Sequence, residues 1–96
     1  MEASEGADTI YMKSWKSLTM ADEEDRVVRE SIKNDWCLTL EHFKRANPGA
    51  YYMDCMPFVR GEQVLDEVAD NSNSIIYQQA ENNFYMKMAI AAALLS

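Results

Sequence analysis

Residues 50–56 run Ala50-Tyr51-Tyr52-Met53-Asp54-Cys55-Met56, a mostly apolar series without the alternation that marks a half-exposed strand. This pattern is typical of a strand buried on both faces of a parallel sheet. Pro57 follows and ends the strand, because proline has no backbone N–H to donate to a ladder. The stretch therefore predicts an α/β fold, in which helices connect parallel strands.

Strand and helix patterns alternate along the rest of the chain. Short runs rich in β-branched and aromatic residues predict two more strands, at Asp8–Met12 and Ser74–Gln78. Helices are predicted at residues 21–33, 40–46, 62–68 and 80–95. We predict a small parallel sheet of about three strands with flanking helices. Lys13–Thr19 and Pro57–Gly61 would then be ligand-binding loops at the carboxyl ends of two strands.

The first long helix begins with four acidic residues, 22–25, and ends near Lys33, an arrangement that suits the helix dipole. Spacing predicts ion pairs between Asp22 and Arg26 and between Asp25 and Arg29. We interpret the acidic cluster as a solvated helix start rather than as a metal site.

Charge and composition exclude several classes of function. Nine Lys and Arg against sixteen Asp and Glu give a net charge of −7, which opposes binding to nucleic acid or anionic membranes. The apolar end of the last helix is shorter than the roughly 20 residues that span a bilayer, so protein should cover it. The N-terminus lacks the basic and apolar regions of a signal peptide, and we expect a cytoplasmic protein.

Cysteine and histidine, which could bind zinc or act in nucleophilic catalysis, are few in this chain. Cys37 and Cys55 lie too far apart for a Cys-x-x-Cys site, and we expect neither a disulfide nor a bound metal or cofactor. A Ser-His-Asp or Cys-His arrangement would have to use His42, the only histidine, which lies in a polar helical stretch.

Three motifs occur in an order that is found in one enzyme family. Residues 52–62, followed by Asp66-Glu67-Val68, resemble the His-Cys-Leu-Pro…Arg-Gly-Glu-Glu-Val signature of ornithine carbamoyltransferases. Asn47-Pro48-Gly49-Ala50 resembles the turn that precedes it, and residues 77–82 resemble the family's Gln-Ala-Glu-Asn segment. The resemblance identifies residues 1–96 as part of the acceptor-binding domain. It implies transfer of a carbamoyl group from carbamoyl phosphate to an amine, without a covalent enzyme intermediate.

The resemblance also implies a carbamoyl-phosphate side of the site. Cys55, Met56 and Pro57 would form a loop against the carbamoyl group, and Cys55 would position substrates rather than attack them. Where ornithine enzymes have an arginine that holds carbamoyl phosphate, this chain has Asn83, so Arg60 is the candidate substitute cation. Cys55 and Arg60 are therefore the candidate catalytic residues, and the candidate carbamoyl-phosphate-binding residues are Cys55, Met56, Pro57, Arg60 and Asn83. The alternatives are that Cys55 is a small buried residue at a strand end and Arg60 a surface arginine in a turn.

Acceptor contacts are expected from the loop after the first strand and from Cys55. Ornithine enzymes have Thr-Asp-Val-Trp and Ser-Met-Gly here, and their Asp and Ser hold the α-amino group. Lys13 stands at the Asp position, so it would repel the ammonium of free ornithine. An acceptor with a carboxylate or carbonyl at that point, such as an N-acylated ornithine, would suit Lys13. The predicted acceptor-binding residues are Lys13, Ser14, Ser17, Leu18 and Cys55. The alternative is a solvated loop beside a packing Trp15.

Two features of this sequence depart from the motifs of the family. Asp54 replaces the histidine that usually precedes the cysteine, which removes a hydrogen-bond donor. The family's phosphate-binding Ser-x-Arg-Thr motif does not occur in these residues, so an N-terminal carbamoyl-phosphate domain in another chain is expected as partner. The resemblance also implies a homo-oligomer, usually a trimer. Two other hypotheses stay open, a non-catalytic remnant that binds a transcarbamylase-like partner and an unrelated anion-binding α/β protein.

Overall fold

The computed structural model describes residues 2–96 and has an α/β architecture. The elements are a short 3-10 helix (Glu2–Ser4), β1 (Thr9–Met12), α1 (Asp22–Trp36), α2 (Leu40–Arg45), β2 (Tyr51–Asp54), α3 (Asp66–Ala69) and α4 (Ile76–Leu95). Strands β1 and β2 are parallel and in register from Thr9 opposite Tyr51 to Met12 opposite Asp54. The predicted fold class and the first two strands are confirmed, but the prediction that the second strand is buried on both faces is wrong. Tyr52 and Asp54 on one face of β2 are buried, whereas Tyr51 on the other face is 49% exposed, because helices cover only one side of this two-stranded sheet.

The predicted third strand at Ser74–Gln78 is wrong. One parallel bridge joins Ser74 to Tyr52 of β2, with the Ile75 N–H donating to the Tyr52 carbonyl at 3.0 Å. The chain then turns into α4 at Ile76, whose side chain is fully buried. A short apolar run is compatible with either element, and here the helix formers that follow extend the helix back into it.

The helix predicted at residues 62–68 is also shorter than expected. It is reduced to the single turn α3, because Val64 pairs in parallel bridges with Leu38 and Arg60 instead of joining a helix. Gly61 has a φ of +77°, a left-handed conformation that glycine adopts without strain. This turn carries the chain from the end of β2 toward α3.

The core lies between β2, α3 and the start of α4. Its buried members are Leu38, Tyr52, Val64, Val68, Ala69 and Ile76, with Ile10, Met12, Leu40, Phe43 and Phe58 packed at its edge. Every residue of α4 from Ala80 onward is exposed. Within residues 2–96, no helix is long and apolar enough to cross a membrane.

Helix α1 has one of its two predicted ion pairs. Arg29 pairs with Asp25 at 2.9 Å, as predicted. The predicted pair of Asp22 with Arg26 is wrong: Arg26 pairs with Glu23 at 2.5 Å, and Asp22 pairs with Lys16 of the preceding loop at 3.3 Å. Glu23 lies three positions before Arg26 on the same face of the helix, and Lys16 belongs to the loop, which spacing within the helix does not contain.

Candidate functional site

Parallel pairing brings two predicted loops together at one edge of the sheet. Because Met12 and Asp54 are register partners, Lys13 and Cys55 are the next residues on neighbouring strands. The Cys55 N–H donates to the Met12 carbonyl at 3.4 Å, and the Cys55 Sγ lies 3.8 Å from the same oxygen. The candidate acceptor loop and the candidate carbamoyl loop therefore leave the sheet side by side.

The side chain of Ser17 stabilises the loop after β1, which comprises residues 13–19. The Ser17 hydroxyl accepts the backbone N–H groups of Thr19 and Met20, both at 3.2 Å, so it organises the turn into α1. Leu18 is 95% exposed. Lys13 is exposed, and no group among residues 2–96 forms an ion pair with its ammonium. Lys13 is therefore available to an anionic group of a ligand.

Solvent exposure increases over the first residues of the loop after β2. Cys55 is half-buried, whereas Met56 and Pro57 are exposed. Ser14 of the neighbouring loop is also half-buried. A ligand that touches Cys55 from solvent would meet both loops.

Asp54 lies beneath this edge, fully buried on the same strand face as Tyr52. The Tyr52 hydroxyl donates to its Oδ2 at 2.8 Å, and the Gln63 Nε2 is 3.4 Å from each oxygen. Burial raises the pKa of Asp54, since the charged form loses hydration that two neutral donors replace only in part. The Asp54 carboxyl group therefore faces the core rather than the loop, and its raised pKa disfavours a negative charge there.

Arg60 is paired with carboxylates outside the two loops, and Asn83 is exposed on α4. The Arg60 guanidinium donates to Asp66 at 2.9 Å and to both oxygens of Asp70 at 2.8 Å, and it stacks 5.6 Å from the Phe58 ring centre. These carboxylates raise the pKa of Arg60 further above its ordinary value. No hydrogen bond among residues 2–96 joins Arg60 to Cys55. In this structure the Arg60 guanidinium is therefore paired with carboxylates at the two ends of α3 and is not available to a ligand.

Gln79 is a site-supporting residue to which sequence reasoning assigned no role. Its Oε1 accepts the Asp54 N–H at 3.0 Å, and its Nε2 donates to the Tyr11 hydroxyl at 3.0 Å. Gln79 thus fastens α4 to the carboxyl ends of both strands. It belongs to the Gln-Ala-Glu motif, but only the fold shows that a residue 68 positions from Tyr11 contacts it.

Residues 1–94 match the family described as aspartate/ornithine carbamoyltransferase, Asp/Orn binding domain. The chain belongs to this family. Ornithine carbamoyltransferase of Burkholderia cenocepacia is 36% identical over 94 residues, which are 98% of this chain and 30% of that protein. That of Bordetella pertussis is 35% identical over 95 residues, which are 99% of this chain and 30% of the relative. The chain therefore spans less than a third of the length of these curated relatives.

Solved structures of the same family share the fold. Ornithine carbamoyltransferase from Pyrococcus furiosus superposes with a TM-score of 0.82 at 34% identity, over 95% of this chain and 28% of that one. An N-acetyl-L-ornithine transcarbamylase superposes with a TM-score of 0.81 at 29% identity, over 97% of this chain and 28% of that one. The fold of this segment is thus equally compatible with relatives named for two different acceptors.

Proposed function

We propose that this chain is the acceptor-side part of a carbamoyltransferase, which moves the carbamoyl group of carbamoyl phosphate to an amine other than free ornithine. One observation carries the proposal: Lys13, which has no ion-pair partner in residues 2–96, leads the loop directly beside Cys55. The family assignment supports the reaction class, and the loop chemistry supports the choice of acceptor.

Catalysis of this kind depends on positioning and on polarising the carbonyl group. A neutral amine attacks the carbamoyl carbon, the bond from that carbon to the phosphate oxygen breaks with its electron pair leaving on phosphate, and the amine nitrogen gives up one proton, which the departing phosphate can accept. Holding the two reactants in contact supplies a large part of the rate enhancement, and donors near the carbonyl oxygen supply another. In our proposal Cys55, Met56, Pro57 and Asn83 line the carbamoyl side, and Arg60 contributes there only if it leaves its two aspartates.

The acceptor is proposed to carry an anionic or carbonyl group toward Lys13. A lysine ammonium repels an α-ammonium and attracts a carboxylate or an acyl oxygen. Ser14, Ser17 and Leu18 complete this side, although the Ser17 hydroxyl is already engaged by two loop amides. The similarity to an N-acetyl-L-ornithine transcarbamylase supports an N-acylated ornithine as the first acceptor to test.

The proposed partner is an N-terminal carbamoyl-phosphate domain on another chain, in a cytoplasmic assembly that is trimeric by resemblance. The relatives are more than three times as long as the matched segment, so the proposed reaction needs residues beyond those described. The exposed apolar part of α4 supplies a surface for such a domain.

Turnover with a reconstituted partner tests the proposal. The chain is mixed with a carbamoyl-phosphate domain, and phosphate release from carbamoyl phosphate is followed with N-acetylornithine or ornithine as acceptor. We expect release with N-acetylornithine and at least tenfold less with ornithine. Lys13→Asp should reverse this preference, and Lys16→Asp in the same loop is the matched control. Absence of both a complex and turnover would overturn the proposal.

A second function, a non-catalytic module that binds a transcarbamylase-like partner, is favoured by one observation. Arg60, the candidate substitute cation, is held by Asp66 and Asp70. The same mixture separates the two functions, because a stable complex that gives no turnover with either acceptor favours the binding module.

A further inference from the structure

Asp25 is the only residue of α1 that is buried, with 2% of its surface exposed, although it belongs to the acidic start of that helix. Its Oδ1 accepts the Ser17 N–H at 2.7 Å, and its Oδ2 accepts the Arg29 Nε–H at 2.9 Å. The Ser17 hydrogen bond lowers the pKa of Asp25, which keeps the carboxylate ionised at neutral pH. A buried anion thus holds the acceptor loop against α1.

Arg29 extends this contact to the other loop. Its Nη1 donates to Glu62 Oε1, while its Nε donates to Asp25. Glu62 lies in the turn that follows the candidate carbamoyl loop, where its N–H donates to the Val59 carbonyl at 3.2 Å. Charge-assisted hydrogen bonds of partly buried groups are stronger and better oriented than exposed ones. The chain of groups from Ser17 through Asp25 and Arg29 to Glu62 therefore connects both loops to one helix.

We infer that Asp25 and Arg29 are positioning residues, which fix the acceptor loop relative to the turn after the carbamoyl loop. The inference rests on the proposed carbamoyl transfer and assigns these residues no contact with substrate. Lys13 and Ser17 belong to the same loop, so freeing the Ser17 N–H lets the acceptor contacts move. The Michaelis constant for the acceptor should rise first, because the loop must then be ordered by the acceptor itself.

The first test measures loop order without any activity. Hydrogen exchange of backbone amides is followed by NMR in the full chain, in the wild type and in Asp25→Asn, Arg29→Gln and Glu23→Gln. We expect at least tenfold faster exchange at Ser17 in Asp25→Asn, because an amide oxygen accepts the Ser17 N–H more weakly than a carboxylate and the amide NH2 group cannot accept from Arg29. In Arg29→Gln, exchange should increase around Glu62, while Ser17 keeps most of its protection. Glu23→Gln breaks an exposed pair with Arg26 on the same helix and should change neither segment.

The second test measures kinetics in the reconstituted assembly. Asp25→Asn should raise the KM for the acceptor about tenfold and change the KM for carbamoyl phosphate by less than twofold. Arg29→Gln should affect both. Circular dichroism first establishes that each variant is folded; if Asp25→Asn is not, Arg29→Gln carries the test alone, and unchanged exchange around Glu62 in that variant overturns the inference.

The outcomes separate this inference from the proposed function. Unchanged exchange at Ser17 in folded Asp25→Asn, or an unprotected Ser17 amide in the wild type, overturns the inference whatever the activity. Faster exchange with an unchanged KM for the acceptor also overturns it, because the contact would then serve folding alone. If the wild-type assembly gives no turnover, the proposed function fails and the positioning role fails with it, while the exchange data still show whether Asp25 orders the loop.

Discussion

The buried carboxyl group of Asp54 depends on a single strong donor, the Tyr52 hydroxyl. Tyr52→Phe removes that donor and leaves the carboxyl group with the longer contacts to Gln63. A buried acceptor that loses its partner costs about 1–3 kcal/mol of unfolding free energy, and we expect a loss in that range. Urea denaturation measures it. Tyr51→Phe, which changes an exposed neighbour on the same strand, should cost much less, and equal losses would contradict the assignment.

Asp54 should also make the stability of the chain depend on pH. Burial raises the pKa of Asp54 in the folded chain above the ordinary value of 3.8, which applies to the unfolded chain. At a pH between the unfolded-state and folded-state pKa values, the folded chain holds a proton that the unfolded chain has released. Unfolding free energy then falls as pH rises through this window, because folding requires proton uptake there. Between pH 4 and pH 7, the urea midpoint of the wild type should fall with rising pH relative to the midpoint of Asp54→Asn. Parallel curves would contradict it.

At the scale of elements, Gln79 is the link that joins α4 to both strands. Gln79→Ala frees the Asp54 N–H and the Tyr11 hydroxyl at once, and we expect a loss of about 1 kcal/mol in unfolding free energy. Gln78→Ala, one position earlier and exposed, is the control with the same change of helix propensity. Amide exchange at Asp54 should increase in the first variant alone. Equal exchange in both would mean that the Gln79 contact does not order the strand end.

Elements with strong local signals were predictable, and long-range contacts were not. The apolar run before Pro57 predicted β2 and the acidic residues 22–25 predicted the start of α1, but neither pattern showed that Tyr51 is exposed or that Asp25 is buried. The parallel strand order then brings Lys13 beside Cys55. The strand predicted at Ser74–Gln78 was wrong because a run of five apolar and polar residues fits a strand end as well as a helix start. The contact of Asp25 with Ser17 joins two locally ordinary residues, so only the fold shows it.

The whole molecule is extended because α4 projects from it. The radius of gyration is 15.8 Å, whereas a compact domain of this length would have about 12.5 Å. A helix of 20 residues is roughly 30 Å long, and here it contacts the rest of the chain mainly through its first turns. Its exposed apolar side chains include Phe84, Met86, Met88, Ile90 and Leu94. Protein interfaces commonly form on patches of this kind.

Binding of the proposed carbamoyl-phosphate domain should therefore depend on the apolar half of α4. Ile90→Asp adds one charge to that half, and a charge buried without a partner is costly, so we expect at least tenfold weaker binding in titration calorimetry. Asn82→Asp adds the same charge to the polar first half of the helix and should bind like the wild type. Equal affinities of the two variants would show that the domain docks elsewhere. Since exposed apolar surface also drives self-association, sedimentation velocity of the chain alone should show larger species that Ile90→Asp reduces and Asn82→Asp does not.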